Sequence, residues 1–297
     1  MFIRRLPKFE YHAPTSVAEA LDQLSLYTEN ARVFAGGTDL FVSMKKREVV
    51  PEHLINLNGI DELKNTHYHE AEGLRIGALV TMGELERSKI VKEKFPILWD
   101  AVNVMATPQI RNLGTIGGNL CSAIPSADTA PPLLALSAMV TIVGSAGERT
   151  MLVEEFSRGP GESDLAPDEI LKEILIPAPP ANSGGAYFKL MRRHAQDLAL
   201  VGVATNLRLD EDGQLCQEAR IALGAVAPTP IRALKAEAVL KGRNINDDLA
   251  AEAGGVASEE ARPITDIRAS GEYRREMVGV LTKRAIMKAL TRTHNKT

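Results

Sequence analysis

The most informative segment of this 297-residue chain reads Phe34-Ala35-Gly36-Gly37-Thr38-Asp39-Leu40. It lies between a predicted strand over 32–34 and a predicted helix over 41–47. A Gly-Gly-Thr turn between a strand and a helix exposes backbone N–H groups at the helix N-terminus, and glycine lets a ligand approach them closely. The segment is therefore a candidate phosphate-binding loop, although a plain tight turn is the simpler interpretation of this loop taken alone.

A second glycine-rich loop follows later in the chain and reads Arg111-Asn112-Leu113-Gly114-Thr115-Ile116-Gly117-Gly118-Asn119. Gly117 lies 81 residues after Gly36. Two such loops, each flanked by strand or helix signals, favour a ligand with two phosphates bound through amide donors. Neither loop matches the Rossmann or the Walker pattern, so the spacing alone predicts a nucleotide or dinucleotide held by backbone amides.

The remaining pattern predicts an N-terminal part of mixed helices and strands and a C-terminal part built around an antiparallel meander. We expect a linker over 177–185, where proline, glycine and serine cluster. The predicted helices cover 16–28, 41–47, 97–105, 131–138, 230–241, 247–253 and 272–292, with a further helix opening at the capping box Thr81–Glu84. The predicted strands cover 32–34, 53–57, 74–79, a hairpin of 140–143 with 150–153, 186–191, 200–209 and 219–226.

Composition excludes several functional classes. Lys plus Arg is 35 and Asp plus Glu is 38, which gives a net charge of −3 and no general attraction to nucleic acid or anionic lipid. Two cysteines, Cys121 and Cys216, cannot supply a disulfide framework or an iron–sulfur cluster held by four thiolates. They indicate a reducing compartment, and without a signal peptide or spanning segment we expect a cytoplasmic protein with no transmembrane segment.

Both loops also carry a family resemblance. Residues 34–40 and Thr107-Pro108-Gln109-Ile110-Arg111-Asn112-Leu113-Gly114-Thr115-Ile116-Gly117-Gly118-Asn119-Leu120 resemble the FAD-binding medium (flavoprotein) subunits of the molybdenum hydroxylase, or xanthine dehydrogenase, family. Supporting segments are 126–128, 168–171 and 188–193, so the resemblance runs in order over nearly the whole chain.

The resemblance implies an α+β protein. Its FAD-binding domain would be of the p-cresol methylhydroxylase type, cover 1–178 and contain two α/β subdomains of about 1–57 and 58–178. A C-terminal flavoprotein domain with an antiparallel sheet and helices would cover 186–292. The implied FAD contacts are Val33, Phe34, Ala35, Gly36, Gly37, Thr38, Asp39, Leu40, Met105, Ile110, Thr115, Ile116, Gly117, Gly118, Asn119, Asp128, Leu171 and Lys189.

Several of these residues also have a simpler interpretation. Asp128 could accept hydrogen bonds from a cofactor hydroxyl, or it could cap the helix that begins near Pro131. Lys189 could hold a polar edge of the cofactor or be an exposed strand residue. Leu171 could contact the cofactor or be ordinary core, and Met105 stands where some relatives place an aromatic residue beside the flavin.

Three further features remain open. His67 and His69 would project from one face of a strand, as two metal ligands or as exposed side chains. Cys121 could lie near the flavin or be a small buried thiol. The segment Arg192-Arg193-His194, with Asp197 after it, is a loop near the flavin in relatives and otherwise a solvated turn. We assign no metal ligand and no catalytic residue to this chain.

The function implied is that of an electron-transfer subunit. Non-covalent FAD would take electrons from [2Fe-2S] clusters of an iron–sulfur small subunit and pass them to an external acceptor. Substrate oxidation would occur on a molybdopterin large subunit, in an assembly expected to be a dimer of heterotrimers. Two alternatives are a self-sufficient FAD-dependent oxidoreductase of the vanillyl-alcohol oxidase type and a scaffold that has lost FAD.

Overall fold

A computed structural model describes residues 5–193 and 196–294. Its first unit is a parallel sheet in the order β1 (Glu10–His12), β3 (His53–Asn56) and β2 (Ala31–Phe34). Helix α1 is capped by Ser16, whose hydroxyl accepts from the Glu19 N–H at 3.2 Å. Ala20 and Leu24 of α1 share a buried cluster with Ile55 on one face of the sheet. The elements are β1 (Glu10–His12), α1 (Val17–Tyr27), β2 (Ala31–Phe34), α2 (Leu40–Lys46) and β3 (His53–Asn56).

The second unit contains an antiparallel sheet with helices packed against it. The strand order is β4 (Thr66–His69), β5 (Gly73–Gly77), β10 (Ile170–Ile176), β6 (Met139–Gly144) and β7 (Gly147–Leu152). The capping box is confirmed: Thr81 Oγ1 accepts from the Glu84 N–H at 3.2 Å, and Glu84 Oε2 accepts from the Thr81 N–H at 2.7 Å. The predicted hairpin is confirmed as β6 paired with β7. The elements are β4 (Thr66–His69), β5 (Gly73–Gly77), α3 (Met82–Arg87), α4 (Lys89–Lys94), α5 (Pro96–Asn103), α6 (Pro108–Arg111), α7 (Ile116–Cys121), α8 (Ala130–Ala135), β6 (Met139–Gly144), β7 (Gly147–Leu152), α9 (Val153–Phe156), β8 (Ser157–Gly159), β9 (Glu162–Ser163) and β10 (Ile170–Ile176).

The C-terminal unit is an antiparallel meander covered by helices. Its strands follow one another in the order β11 (Ser183–Leu190), β12 (Val201–Leu209), β13 (Cys216–Gly224) and β14 (Ile231–Arg232), as the sequence predicts for the first three. The last helix packs against the first two of these strands. The elements are β11 (Ser183–Leu190), β12 (Val201–Leu209), β13 (Cys216–Gly224), β14 (Ile231–Arg232), α10 (Leu234–Leu240), α11 (Asp247–Glu260) and α12 (Gly271–His294).

Several predicted boundaries in this unit differ from the structure, among them the start of β13 at Cys216 in place of Ala219. Strand β11 already begins at Ser183, which leaves 177–182 as the connection from β10. The helix predicted from 230 begins at Leu234, because Ile231 and Arg232 first pair with β13 as an edge strand. Helix α11 continues through Gly254 to Glu260. A Cβ at Gly254 would lie 2.5 Å from the Gly279 carbonyl oxygen, so glycine permits close contact between α11 and α12.

A carboxylate joins the C-terminal helix to the second unit. Asp100 of α5 is buried and accepts from Arg292 at 2.6 and 3.0 Å, and from the backbone N–H of Tyr187 at 3.2 Å. Arg292 also donates to the Gly185 carbonyl at 2.7 Å. A paired charge of this kind satisfies the buried groups of both partners and fixes how the two elements meet. No helix of the described residues has the length and apolar character needed to cross a membrane.

A second buried arginine leads to a stability prediction. Arg274 is 1% exposed and donates to Asp266 at 2.8 Å and to the Leu200 carbonyl at 3.1 Å. Hydrogen bonds from the Arg268 side chain, with help from Arg274, hold the pKa of Asp266 well below its ordinary value of 3.8. We expect Asp266→Asn to lower the free energy of unfolding by about 3 kcal/mol at neutral pH, because Arg274 would stay buried without its carboxylate.

The lowered pKa of Asp266 determines how its contribution to the free energy of unfolding depends on pH. Stabilisation by Asp266 is present above the ordinary carboxyl pKa of 3.8 and is lost as the pH falls below it. Urea unfolding of the two proteins should therefore differ most near neutral pH and converge in acid. The exposed pair of Asp61 with Lys64 gives the control, and Asp61→Asn should change the free energy of unfolding little, because solvent screens an exposed pair. An equal cost for both substitutions would contradict this account of Asp266.

Candidate functional site

The two glycine loops contact each other directly. A Cβ at Gly36 would lie 2.0 Å from the Leu113 carbonyl oxygen and 3.0 Å from the Gly114 nitrogen. A side chain at position 36 would therefore push the loops apart. The contact brings together two segments that the sequence could only predict to be near each other, and glycine at position 36 is explained by this close backbone approach.

Both loops line one cleft with a volume of about 780 Å³. This lies within the range of roughly 300–1,000 Å³ that is usual for small-molecule and cofactor sites. The wall includes 33–40 from the end of β2 and the start of α2, and 114–115 with 117–119 from the second loop. Further wall residues come from 105–106, 126–128, 169–171 and 196–198, so every unit of the fold contributes to the cleft or to its support.

The first loop presents unused hydrogen-bond donors. The backbone N–H groups of Gly36, Gly37, Thr38 and Asp39 have no acceptor among the described residues. Gly37 has a φ of +67°, in the left-handed region that favours glycine. Burial raises the pKa of the neighbouring Asp39 carboxyl. Successive free amides beside a helix N-terminus form a concave anion-binding site.

The backbone donors of the second loop at 116–119 already have acceptors within the protein. Ile116 N donates to the Val80 carbonyl and Gly117 N to the Ala78 carbonyl, both at 3.0 Å. Gly118 N donates to Thr115 Oγ1 and Asn119 N to the Thr115 carbonyl, again at 3.0 Å. The sequence predicts two equivalent amide loops, whereas in the structure the free amides are concentrated on the first loop. The second loop supplies the wall and holds the first in place.

A buried ion pair stands behind the cleft. Asp128, which lines the cleft, accepts from Lys189 at 2.8 Å and from the Tyr187 hydroxyl at 3.0 Å. The Lys189 side chain is 1% exposed. Tyr187 and Lys189 alternate along β11 and therefore share one face of it. The structure thus joins two predicted site residues that are 61 positions apart.

Charge and burial oppose each other at Asp128. Burial raises the pKa of its carboxyl, while the Lys189 ammonium and the two hydrogen bonds lower it. Burial, together with the nearby Asp128 charge, raises the pKa of Tyr187 well above 10. The helix-cap interpretation of Asp128 is wrong, because the N-cap of α8 is Thr129 and the carboxylate bonds to β11 instead.

The predicted FAD contacts lie almost entirely on the wall of the cleft. All predicted residues line the cleft except Ile116 and Lys189. Ile116 is fully buried in the core behind the second loop, and Lys189 reaches the cleft only through Asp128. Met105 and Leu171 are buried wall residues, and Ile110 is 40% exposed at the rim.

Some wall residues escape prediction from the sequence. Leu57 and Leu79 read as ordinary core positions, and Glu169 lines the cleft next to the predicted Leu171. Only adjacency to predicted residues could have indicated Glu169, whose carboxylate also pairs with Arg149 at 2.7 Å. Cys121 lines the cleft and is also a buried thiol, so both predictions for it hold together. Burial raises the pKa of its thiol to about 12.

The segment after β11 also reaches the cleft. Gln196, Asp197 and Leu198 line it, and the Asp197 carboxylate accepts from the backbone N–H groups of Arg192 at 2.7 Å and Arg193 at 3.1 Å. His194 lies outside the described residues. The pair His67 and His69 is placed on the exposed strand β4, and His69 Nδ1 accepts from the Ala71 N–H at 3.3 Å.

FAD fits this site. Free amides offer donors for a diphosphate, glycines leave the backbone open, and the apolar wall with the Asp128 carboxylate suits a ring system bearing hydroxyl groups.

Comparison with known proteins agrees with this fit. Residues 7–179 match the family model for the FAD binding domain in molybdopterin dehydrogenase, and residues 186–289 match that for the CO dehydrogenase flavoprotein C-terminal domain. This arrangement defines a class of flavin-carrying chains. The chain belongs to the family of FAD-binding medium subunits of the molybdenum hydroxylases, which confirms the resemblance and the predicted fold class.

Individual relatives are similar over their whole length. The carbon monoxide dehydrogenase medium chain of Hydrogenophaga pseudoflava is 36% identical over 286 residues, which cover 96% of this chain and 98% of the relative. The xanthine dehydrogenase FAD-binding subunit of Escherichia coli O157:H7 is 32% identical, over 96% and 97% of the two chains. A solved structure of the Hydrogenophaga pseudoflava carbon monoxide dehydrogenase superposes with a TM-score of 0.93 at 37% identity, covering 97% and 99%. The chain is thus an FAD-carrying oxidoreductase subunit, and the relatives support this function over a self-sufficient flavoenzyme.

Proposed function

We propose that this chain holds one non-covalent FAD between its two glycine loops, inside a complex with an iron–sulfur small subunit and a molybdopterin large subunit. Bound FAD would receive electrons from [2Fe-2S] clusters of the small subunit and deliver them to an external acceptor. Substrate oxidation would take place on the large subunit, so this chain needs no catalytic acid or base of its own.

The observation that carries the proposal is the row of free amides at 36–39 on the wall of the cleft. These N–H groups would bind the FAD diphosphate without a lysine or arginine. The second loop would limit how far the cofactor can move, because the hydrogen bond from Gly117 N to the Ala78 carbonyl at 3.0 Å holds that loop in place. Asp128, held by Lys189 and Tyr187, would accept hydrogen bonds from cofactor hydroxyls, and Met105 and Leu171 would pack against its apolar parts.

Chemistry at the wall supports non-covalent binding. None of the described residues that line the cleft is a histidine, and the cysteine there is Cys121. Its pKa of about 12 keeps the thiol protonated at neutral pH, whereas covalent attachment needs the thiolate. The loop of Gln196, Asp197 and Leu198 would cover the side of the cleft through which the acceptor approaches.

Three further assignments belong to this proposal. The assembly is a dimer of heterotrimers. The complex is cytoplasmic, in keeping with the free cysteines Cys121 and Cys216. The FAD-binding domain covers 1–178, with subdomains of about 1–57 and 58–178, and the C-terminal domain covers 186–292.

Purification of the native complex tests the proposal. We expect this chain to co-purify with an iron–sulfur chain and a molybdopterin chain, with one FAD per copy and two copies of each chain by native mass spectrometry. Steady-state turnover of a small organic substrate by the isolated chain would contradict the electron-transfer role. A colourless protein that takes up no flavin on reconstitution would contradict the assignment of the cleft.

A further inference from the structure

Three potential metal ligands meet on the first sheet, away from the FAD cleft. Strand β1 runs parallel to β3, and the register pairs Glu10 with His53. Glu10 and His12 are two residues apart on β1, so their side chains leave the same face of the sheet. The cross-strand pairing places His53 on that face as well. The fold therefore dictates this meeting of one carboxylate and two imidazoles.

The distances suit a single cation. His12 Nε2 lies 3.1 Å from His53 Nδ1, and Glu10 Oε2 lies 3.6 Å from the same nitrogen. The three ligand atoms all fall within 4.8 Å of one another. A tetrahedral zinc ion with bonds of about 2.0–2.2 Å holds its ligands roughly 3.3–3.6 Å apart. One proton on His53 Nδ1 can bridge to only one of the two neighbours, whereas one cation can satisfy all three.

The surroundings order the rings and leave access for the ion. The ring of Tyr27, the last residue of α1, stacks on His53 with 3.7 Å between centroids and 12° between planes. It also lies 4.9 Å from the His12 ring. The His53 side chain is 16% exposed and that of Glu10 is 75% exposed. An ion can reach the site from solvent, and a water molecule can complete its coordination.

We propose that Glu10, His12 and His53 bind one divalent cation of the zinc type. A set of two imidazoles and one carboxylate binds Zn²⁺ in preference to Mg²⁺ or Ca²⁺, because these harder cations prefer oxygen ligands. The bound ion would link β1 to β3 and so stabilise the sheet that leads into the first glycine loop. None of the three ligands lines the FAD cleft.

The histidines of β4 provide an internal comparison. His67 and His69 are also two residues apart on a strand, but they belong to no group of three ligands among the described residues. The β5 residue opposite His67 is Arg75, and the one opposite His69 is Gly73. The same chain thus contains a His-x-His pair on a strand that has no metal-ligating residue opposite it on the neighbouring strand β5.

Calorimetric titration of the untagged, FAD-loaded full chain with ZnCl₂ tests the site. We expect one Zn²⁺ per chain. His12→Gln or His53→Gln should weaken binding at least about 100-fold, and Glu10→Gln about tenfold, since losing even a supporting partner of a ligand costs about 10–100-fold. The matched control His67→Gln/His69→Gln should bind like the wild type.

Circular dichroism and FAD content establish that each variant is folded. Glu10 is exposed, so Glu10→Gln tests the site even if a histidine variant fails to fold. The proposal is overturned if the wild type binds no Zn²⁺ stoichiometrically, if either Glu10→Gln or a folded histidine variant binds as tightly as the wild type, or if the β4 control loses the ion.

Discussion

Gly37→Val should release FAD from this chain while the protein stays folded. Residue 37 has a φ of +67° on the loop whose amides are free, and a Cβ there would point at the Phe41 ring, 2.5 Å from its nearest atom. Valine would turn the loop and move its N–H groups away from the diphosphate. Losing one hydrogen bond to a charged group costs about 1.5–3 kcal/mol, which lowers affinity roughly 10- to 150-fold, and several bonds are expected to be lost together.

The measurement is the ratio of flavin absorbance to protein after dialysis, with circular dichroism as the check on folding. Gly213→Val is the matched control. Gly213 has a φ of +70° in the turn between β12 and β13, and a Cβ there would meet nothing within 4 Å. Valine at position 213 would introduce a similar backbone strain of roughly 1–2 kcal/mol. Because Gly213 does not line the cleft, this variant should retain FAD. Full flavin occupancy in the Gly37→Val variant would show that the first loop does not bind FAD.

Gly117 is a poorer position for this test, although the sequence alone suggests that changes at Gly117 and Gly118 would act like the one at Gly37. A Cβ at Gly117 would lie 2.6 Å from the Ala78 carbonyl oxygen, which accepts the Gly117 N–H. Substitution there would break the contact between the second loop and the end of β5. Loss of FAD would then accompany loss of structure, and the two effects could not be separated.

Lys189→Met should have the largest effect on stability. Among the described residues, the Tyr187 hydroxyl would then be the one remaining partner of the buried Asp128 carboxylate, and we expect a loss of about 3–5 kcal/mol at neutral pH. Burial would then raise the Asp128 pKa without a countering ammonium. A raised carboxyl pKa means that the fold favours the protonated form, so the loss grows as the pH rises through that pKa and shrinks in acid.

Urea unfolding at about pH 5 and pH 8 measures this dependence. The double variant Lys189→Met/Asp128→Asn should regain part of the stability at the higher pH, because the uncompensated charge is gone. Lys172→Met supplies the control, since Lys172 pairs with Glu148 at the surface and its loss should cost less than about 1 kcal/mol. A cost that does not change with pH would show that Asp128 is not the charge responsible.

Sequence reasoning succeeded where the signal is local. A glycine pair between a strand and a helix, a Thr-x-x-Glu cap and a hairpin with glycines at its turn each depend on a few adjacent residues. All but two of the predicted contact residues line the cleft, because the family motifs are contiguous segments.

Features that depend on distant register could not be read in the same way. Nothing near Asp128 indicates that Lys189 is its partner, and nothing near Gly36 indicates the carbonyl of Leu113 against it. The edge strand at Ile231 looks helical by composition, and only the free edge of β13 explains its pairing. The symmetry of the two loops is also misleading. The acceptors for the Ile116 and Gly117 amides lie on the segment after β5, and those for Gly118 and Asn119 lie on Thr115.

Amide hydrogen exchange, followed by NMR with and without FAD, tests most directly whether the first loop binds the diphosphate. In the FAD-free protein the amides of Gly36, Gly37, Thr38 and Asp39 should exchange rapidly, because no residue that the structure describes accepts from them, while those of 116–119 should already be protected. FAD should then protect 36–39 strongly and change 116–119 little. Unchanged exchange at 36–39 in the FAD-bound protein would contradict the account.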